Sequence, residues 1–179
     1  MFLPAVADAA VGDANWWASK SKTGNLNFAN WPYYIDTYDG KHPTLDYLQS
    51  SKGITTTYSE VIEDNPTFYQ QIRPSLQSGD PTGYDIIVMT DNSVGLRYLL
   101  NGNYLVPLDD AALVNFKKYG SASAKAVYTA SAKRLVPWQS GMTSLAYNSS
   151  KVSTNTKSLK MAFDTSSSNV AKLRNRVGM

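Results

Sequence analysis

Apolar and polar positions alternate first at Leu26-Asn27-Phe28, which predicts a strand opening near Asn25, and Pro32 ends it because proline cannot donate to a sheet ladder. After a polar turn, Pro43 suits the first turn of a helix, Leu45 and Leu48 offer that helix a buried face, and Gly53 stops it after Lys52. The β-branched, roughly alternating run Ile54 to Val61 predicts a second strand. Asp64 or Asn65 can cap the next helix, with Pro66 just inside and Phe68, Ile72 and Leu76 at four-residue spacing, and Pro74 predicts a kink or an early end. Tyr84 to Met89 is nearly all apolar, which predicts a parallel strand covered on both faces at the centre of the sheet. Thr90-Asp91-Asn92 is then expected to cap a helix through Leu96, Leu99 and Leu100 that Gly102 closes.

Strand and helix alternate three times, the order of a parallel α/β sheet. Residues 1–24 show no period and read as a mobile N-terminal lead-in, in which Trp16-Trp17 either covers an apolar patch or flanks a removed segment. Residues 25–137 form the expected first α/β lobe, with a short helix near Ala111 to Lys118. Leu135 to Asn148 reads as two extended pieces joined at Gly141, so 138–179 is taken as a crossover and the incomplete start of a second lobe.

Composition narrows the chemistry. The chain has no cysteine, which removes disulfides and thiolate catalysis. Its net charge of +3 comes from residues 151–179, which hold six Lys/Arg against one Asp, whereas residues 1–150 hold eleven against thirteen acidic groups. Those basic residues are scattered among Ser and Thr without aromatic interleaving, so a solvated surface is expected and no nucleic-acid partner. No apolar run reaches the roughly 20 residues of a membrane span, and the Ala-rich opening lacks the positive start of a complete export signal.

Candidate chemistry gathers at Trp31, Tyr33 and Tyr34, between Asn30 and Asp36, where the first strand ends. Open α/β sheets hold ligands at such strand ends, and each well-placed ring attracts an ammonium by roughly 0.5–2 kcal/mol. The same rings could equally fill a core or staple the loop. Asp91 at a helix start would answer the partial positive charge there and repel an anion, although an ordinary cap explains it as well. His42 is the only histidine and has no cysteine partner, which predicts a surface residue, and neither a nucleophile elbow nor a phosphate-cradling glycine loop is present. Asp36, Asp39, Asp85 and Asp91 show no metal-binding spacing, and Asp85 reads as structural. No cofactor or metal is expected. A nucleotide- or cofactor-binding α/β enzyme fragment stays open as the alternative, separated from a binding protein by turnover.

Taken together, Asn30-Trp31-Pro32-Tyr33-Tyr34-Ile35-Asp36, the strand from Ile54, Tyr84-Asp85-Ile86-Ile87-Val88 and Val136-Pro137-Trp138-Gln139-Ser140-Gly141-Met142-Thr143 through Tyr147-Asn148 resemble the spermidine/putrescine-binding proteins of bacterial ABC importers. The resemblance covers residues 25–148, with a less specific echo at Phe163-Asp164. It implies a periplasmic-binding-protein-like (type II) fold of two α/β lobes, of which this chain spans most of the first and the start of the second. It also implies a non-enzymatic monomer that captures a polyamine in the periplasm or at the cell surface and delivers it to a membrane permease. Trp31 and Tyr34 match the family's first-lobe aromatic ligand positions, and Thr90 matches a ligand hydroxyl. Asn92 departs from an aromatic ligand and Tyr33 from a frequent acid; Asp91 completes the candidate set of Trp31, Tyr34, Thr90, Asp91 and Asn92. Members are about twice as long, two ordinary domains, so residues 1–179 alone are expected to bind polyamine far more weakly than a complete two-lobe protein.

Overall fold

In the computed structural model, residues 11–91, 93–141 and the single positions 146, 148 and 150 are described. The chain divides into two compact units, Met1–Trp138 and Gln139–Met179, and every element below belongs to the first. In chain order these are α1 (Ala14–Ala18), β1 (Asn25–Asn30), α2 (Pro43–Lys52), β2 (Thr55–Glu60), α3 (Asn65–Ser78), β3 (Ile86–Ile87), α4 (Val94–Asn101), α5 (Val114–Tyr119) and α6 (Ala122–Ala130). The protein is therefore mixed α/β, with a parallel sheet in the order β2-β1-β3.

Register aligns the strand ends. Asn25 to Asn30 of β1 pair one for one with Thr55 to Glu60 of β2, and Phe28 and Ala29 pair with Ile86 and Ile87 on the other side. Side chains in register share a face, so Ala29 and Ile87 look one way and Phe28 and Ile86 the other. The first face meets α3 and α4, where Ala29, Ile62, Phe68, Tyr69, Ile72, Leu96 and Leu99 form one buried cluster. On the second face Phe28 packs edge-on against Tyr58 and Trp138, with ring centroids 5.4 and 5.5 Å apart. Asp85 ties β3 to β1: its side chain accepts from Asn27 N at 2.7 Å while its own N–H donates to Asn27 O at 2.9 Å. This carboxylate is a ladder partner. Replacing Asp85 by Ala is expected to lower stability by about 1 kcal/mol in urea titration, while Asp85→Asn retains most of the bond.

The helix stops follow local chemistry. Asp64 accepts from Thr67 N at 2.9 Å and caps α3, with Pro66 in the first turn. Gly53 and Gly79 close α2 and α3 at φ +67° and +78°, a conformation glycine adopts without steric cost.

Several expectations need correction. Among the described strands β1, not the apolar run 84–89, is central; β3 is a two-residue edge, and Ile86 is 44% exposed. A continuous apolar run cannot by itself distinguish an edge from a centre. Pro74 does not bring α3 to an early end, since four residues follow before Gly79. Leu45 and Leu48 are only half-buried. Ser93, not Asp91 or its neighbours, caps α4 by accepting from Leu96 N at 3.1 Å. Where the missing period suggested only a lead-in, Asp13 caps the short α1, and Trp17 Nε1 donates to Pro107 O at 2.9 Å. α6 begins at a Ser121 cap within the Ala/Ser-rich stretch that showed no clear pattern. Residues 142–145, 147, 149 and 151–179, which hold most of the expected second-lobe start, lie outside the described residues.

Three surface carboxylates are favoured in their charged form by hydrogen bonds in the fold. The Asp36 carboxyl is held below the usual 3.8 by its bond to Thr44, the Asp64 carboxyl by Thr67, and the Asp110 carboxyl by Lys117 and then Tyr128. Each lowered group contributes stability that is present above the unfolded-state value and lost as pH falls through the folded one. The urea midpoint is accordingly expected to fall as the pH drops through and below the usual carboxylate range, with a shallower decline in Asp110→Asn. Tyr128 responds in the opposite sense, its hydroxyl pushed up to about 12 by burial and then by the Asp110 carboxylate that accepts from it.

Candidate functional site

Because β1 lies between its neighbours, the chain leaving it at Trp31 emerges between the carboxyl ends of β2 and β3. Pro32 follows, Tyr33 takes φ +64°, and Tyr34 N donates to Trp31 O at 3.4 Å. This is the pattern of a type II turn, whose third position normally holds glycine. Tyr33 occupies it instead, with its side chain 91% exposed. A left-handed conformation costs a side-chain-bearing residue about 1–2 kcal/mol, and glycine's extra unfolded-state freedom returns roughly half of any gain on replacement. Tyr33→Gly is therefore expected to stabilise the protein by about 0.5–1 kcal/mol, read as a higher urea midpoint; a lower midpoint would show that the tyrosine ring itself supports the fold.

The turn brings two rings together. Trp31 and Tyr34 stack with centroids 6.0 Å apart and planes 29° from parallel. Trp31 is half-buried against the core and its Nε1 donates to Val88 O at 3.1 Å, which fixes the indole across the end of β3. Tyr34 remains 40% exposed, and its carbonyl accepts from Trp138 Nε1 at 2.8 Å. Beneath them Asn30 is fully buried; its Oδ1 accepts from Trp31 N at 2.8 Å, and its carbonyl accepts from both Val61 N and Ile62 N at 3.1 Å. Across the turn, Tyr33 N donates to Glu60 Oε1 at 3.1 Å.

Thr90 lies two residues past the carbonyl that holds Trp31, clasped by Asn65 at the start of α3. Its N–H donates to Asn65 Oδ1 at 3.0 Å, and its hydroxyl accepts from Asn65 Nδ2 at 3.1 Å. A hydroxyl has two lone pairs, so Thr90 can still accept from a ligand. Asp91 is exposed in the turn before Ser93. Since the cap is Ser93, Asp91 stands outside the first helical turn, where the dipole effect fades, and the proposed answer to that dipole loses its force. Asn92 is outside the described residues. The structure thus joins Trp31 and Tyr34 directly and places Thr90 on the adjacent strand end. Among the described residues no such contact is made by Asp91.

The segments that follow the strands are predominantly acidic. Residues 31–42, 60–64 and 88–93 carry Asp36, Asp39, Glu60, Glu63, Asp64 and Asp91 against Lys41 alone. His42, expected at the surface, sets its Nδ1 3.1 Å from Asp36 O and its ring edge-on to Tyr58 at 4.7 Å. Among the described residues no group of three or more His, Cys, Asp and Glu is arranged to hold a metal ion, and no helix is long and apolar enough to cross a membrane. Aromatic faces beside carboxylates, with few competing cations, are suited to an organic cation.

Glu60, Asn65 and Trp138 are the residues of this region that sequence reasoning did not assign to it. Asn65 had a visible signal as a helix start, but its bond to Thr90 spans 25 residues, and that of Trp138 to Tyr34 spans 104. No protein-family model and no curated protein matches the chain.

Proposed function

We propose that this protein is the substrate-binding component of a polyamine ABC importer, with a periplasmic-binding-protein-like (type II) fold. In this reading it captures a linear di- or polyamine such as putrescine or spermidine outside the cytoplasmic membrane and passes it, without chemical change, to a membrane permease. The observation that carries the reading is the stacked Trp31–Tyr34 pair at the carboxyl ends of parallel strands. The acidic strand-end segments support it, since they favour a cation over a phosphate, sulfate or carboxylate ligand. Methylene groups would lie on the rings and the ammonium groups would meet carboxylates; Thr90 would add a hydroxyl acceptor.

Calorimetric titration of putrescine and spermidine into the purified chain tests the reading. The expected result is saturable binding of the amine without turnover, with glutamate and sulfate silent at the same concentrations. Replacing Tyr34 by Ala, a half-exposed ring whose loss leaves the core intact, should weaken binding, and Trp31→Ala should weaken it by about 1–3 kcal/mol. Absence of saturable amine binding, or unchanged affinity in both variants, would sink the assignment.

A further inference from the structure

Glu60 ends β2 directly opposite Asn30, the last residue of β1. From there it reaches the turn that carries both rings, and its Oε1 accepts from Tyr33 N at 3.1 Å. Among the described residues no hydrogen bond or ion pair engages its second oxygen. Two other acids near the strand ends, Asp36 and Asp64, are committed differently: Asp36 accepts from Thr44 N and Asp64 from Thr67 N, each holding a helix start. Glu60 is the acid bonded to the aromatic turn itself.

We propose that Glu60 is the first-lobe carboxylate that receives one primary ammonium group of the ligand, and so determines preference for an amine over a neutral analogue of the same length. The inference rests on the polyamine reading above. The backbone bond from Tyr33 leaves the carboxylate rotamer little freedom, so less side-chain entropy is lost when the ammonium arrives. The free oxygen supplies a charge-assisted acceptor at the turn that carries the two rings. The same turn that holds Tyr33 at positive φ presents its N–H to Glu60.

Glu60→Gln separates this role from a structural one, because the amide oxygen still accepts from Tyr33 N while the charge is gone. Calorimetry is run with putrescine and with 1,4-butanediol, alongside thermal melts of wild type, Glu60→Gln and Tyr34→Ala. Expected are an unchanged melting temperature in Glu60→Gln and a dissociation constant for putrescine raised by at least about tenfold. The wild-type preference for the diamine over the diol should shrink by the same factor. If wild type binds putrescine and Tyr34→Ala weakens it, but Glu60→Gln binds like wild type, the role of Glu60 is overturned while the polyamine reading stands. If wild type binds neither spermidine nor putrescine, both fall together.

Discussion

Phe68→Ala is expected to lower the unfolding free energy by about 3–5 kcal/mol, the range for removing a fully buried aromatic side chain. Phe68 is 2% exposed on α3 within the cluster that joins this helix to α4 and the sheet, and its ring lies 5.8 Å from that of Tyr84. Truncation leaves a cavity with one wall formed by the sheet, which cannot collapse without disturbing β1 and β3. Parallel sheets depend on such cover, because their strands are joined through helices and cannot hold together as isolated hairpins. Urea titration should show a lower midpoint with little change in slope. Phe68→Leu should cost substantially less. A loss below about 1 kcal/mol in the alanine variant would mean that the α3 face is not the principal core of this unit. The site should feel the change as well, since α3 begins at the Asn65 that clasps Thr90.

The sequence was most informative where one residue type answers a local demand. Asp64 with Pro66, and Gly53, marked helix ends correctly because capping and left-handed closure involve groups within four residues of one another. The order of strands and helices was legible for the same reason, each element having its own period. Strand order was not. Nothing in Asn25-Leu26-Asn27-Phe28, with two asparagines exposed, indicates a strand paired on both sides, whereas Tyr84 to Met89 has the composition of a central strand and pairs at its edge. The side-chain bond from Asp85 to Asn27, 58 residues away, is part of what makes the polar strand central. At the candidate site the aromatic cluster was legible because it is contiguous. Glu60 was hidden because its relation to Tyr33 depends on the β1–β2 register. Asp91 misled because three consecutive polar residues, Asp91, Asn92 and Ser93, can each cap a helix, and only the position of the first helical turn selects Ser93.

Asn30→Ala should combine a stability loss of about 2–4 kcal/mol with loss of amine binding. The side chain is completely buried at the last position of the central strand. Its Oδ1 satisfies Trp31 N, and its Nδ2 lies 3.5 Å from Tyr34 O, so one amide spans the base of the turn that stacks the two rings. Alanine removes both contacts, leaves Trp31 N without its acceptor and opens space below Trp31. A buried unsatisfied donor costs about 1–3 kcal/mol, and the lost packing adds to it. Asn30→Asp keeps the acceptor for Trp31 N but replaces the donor facing Tyr34 O with an oxygen and buries a charge, so it should be no better tolerated. The distinguishing measurement is Trp31 fluorescence in the folded protein, in a background where Trp16, Trp17 and Trp138 are replaced by Phe. Both variants should shift the emission to longer wavelength as the indole loosens from the end of β3. An unshifted spectrum with wild-type affinity for putrescine would show that Trp31 is held by Val88 O and the core alone.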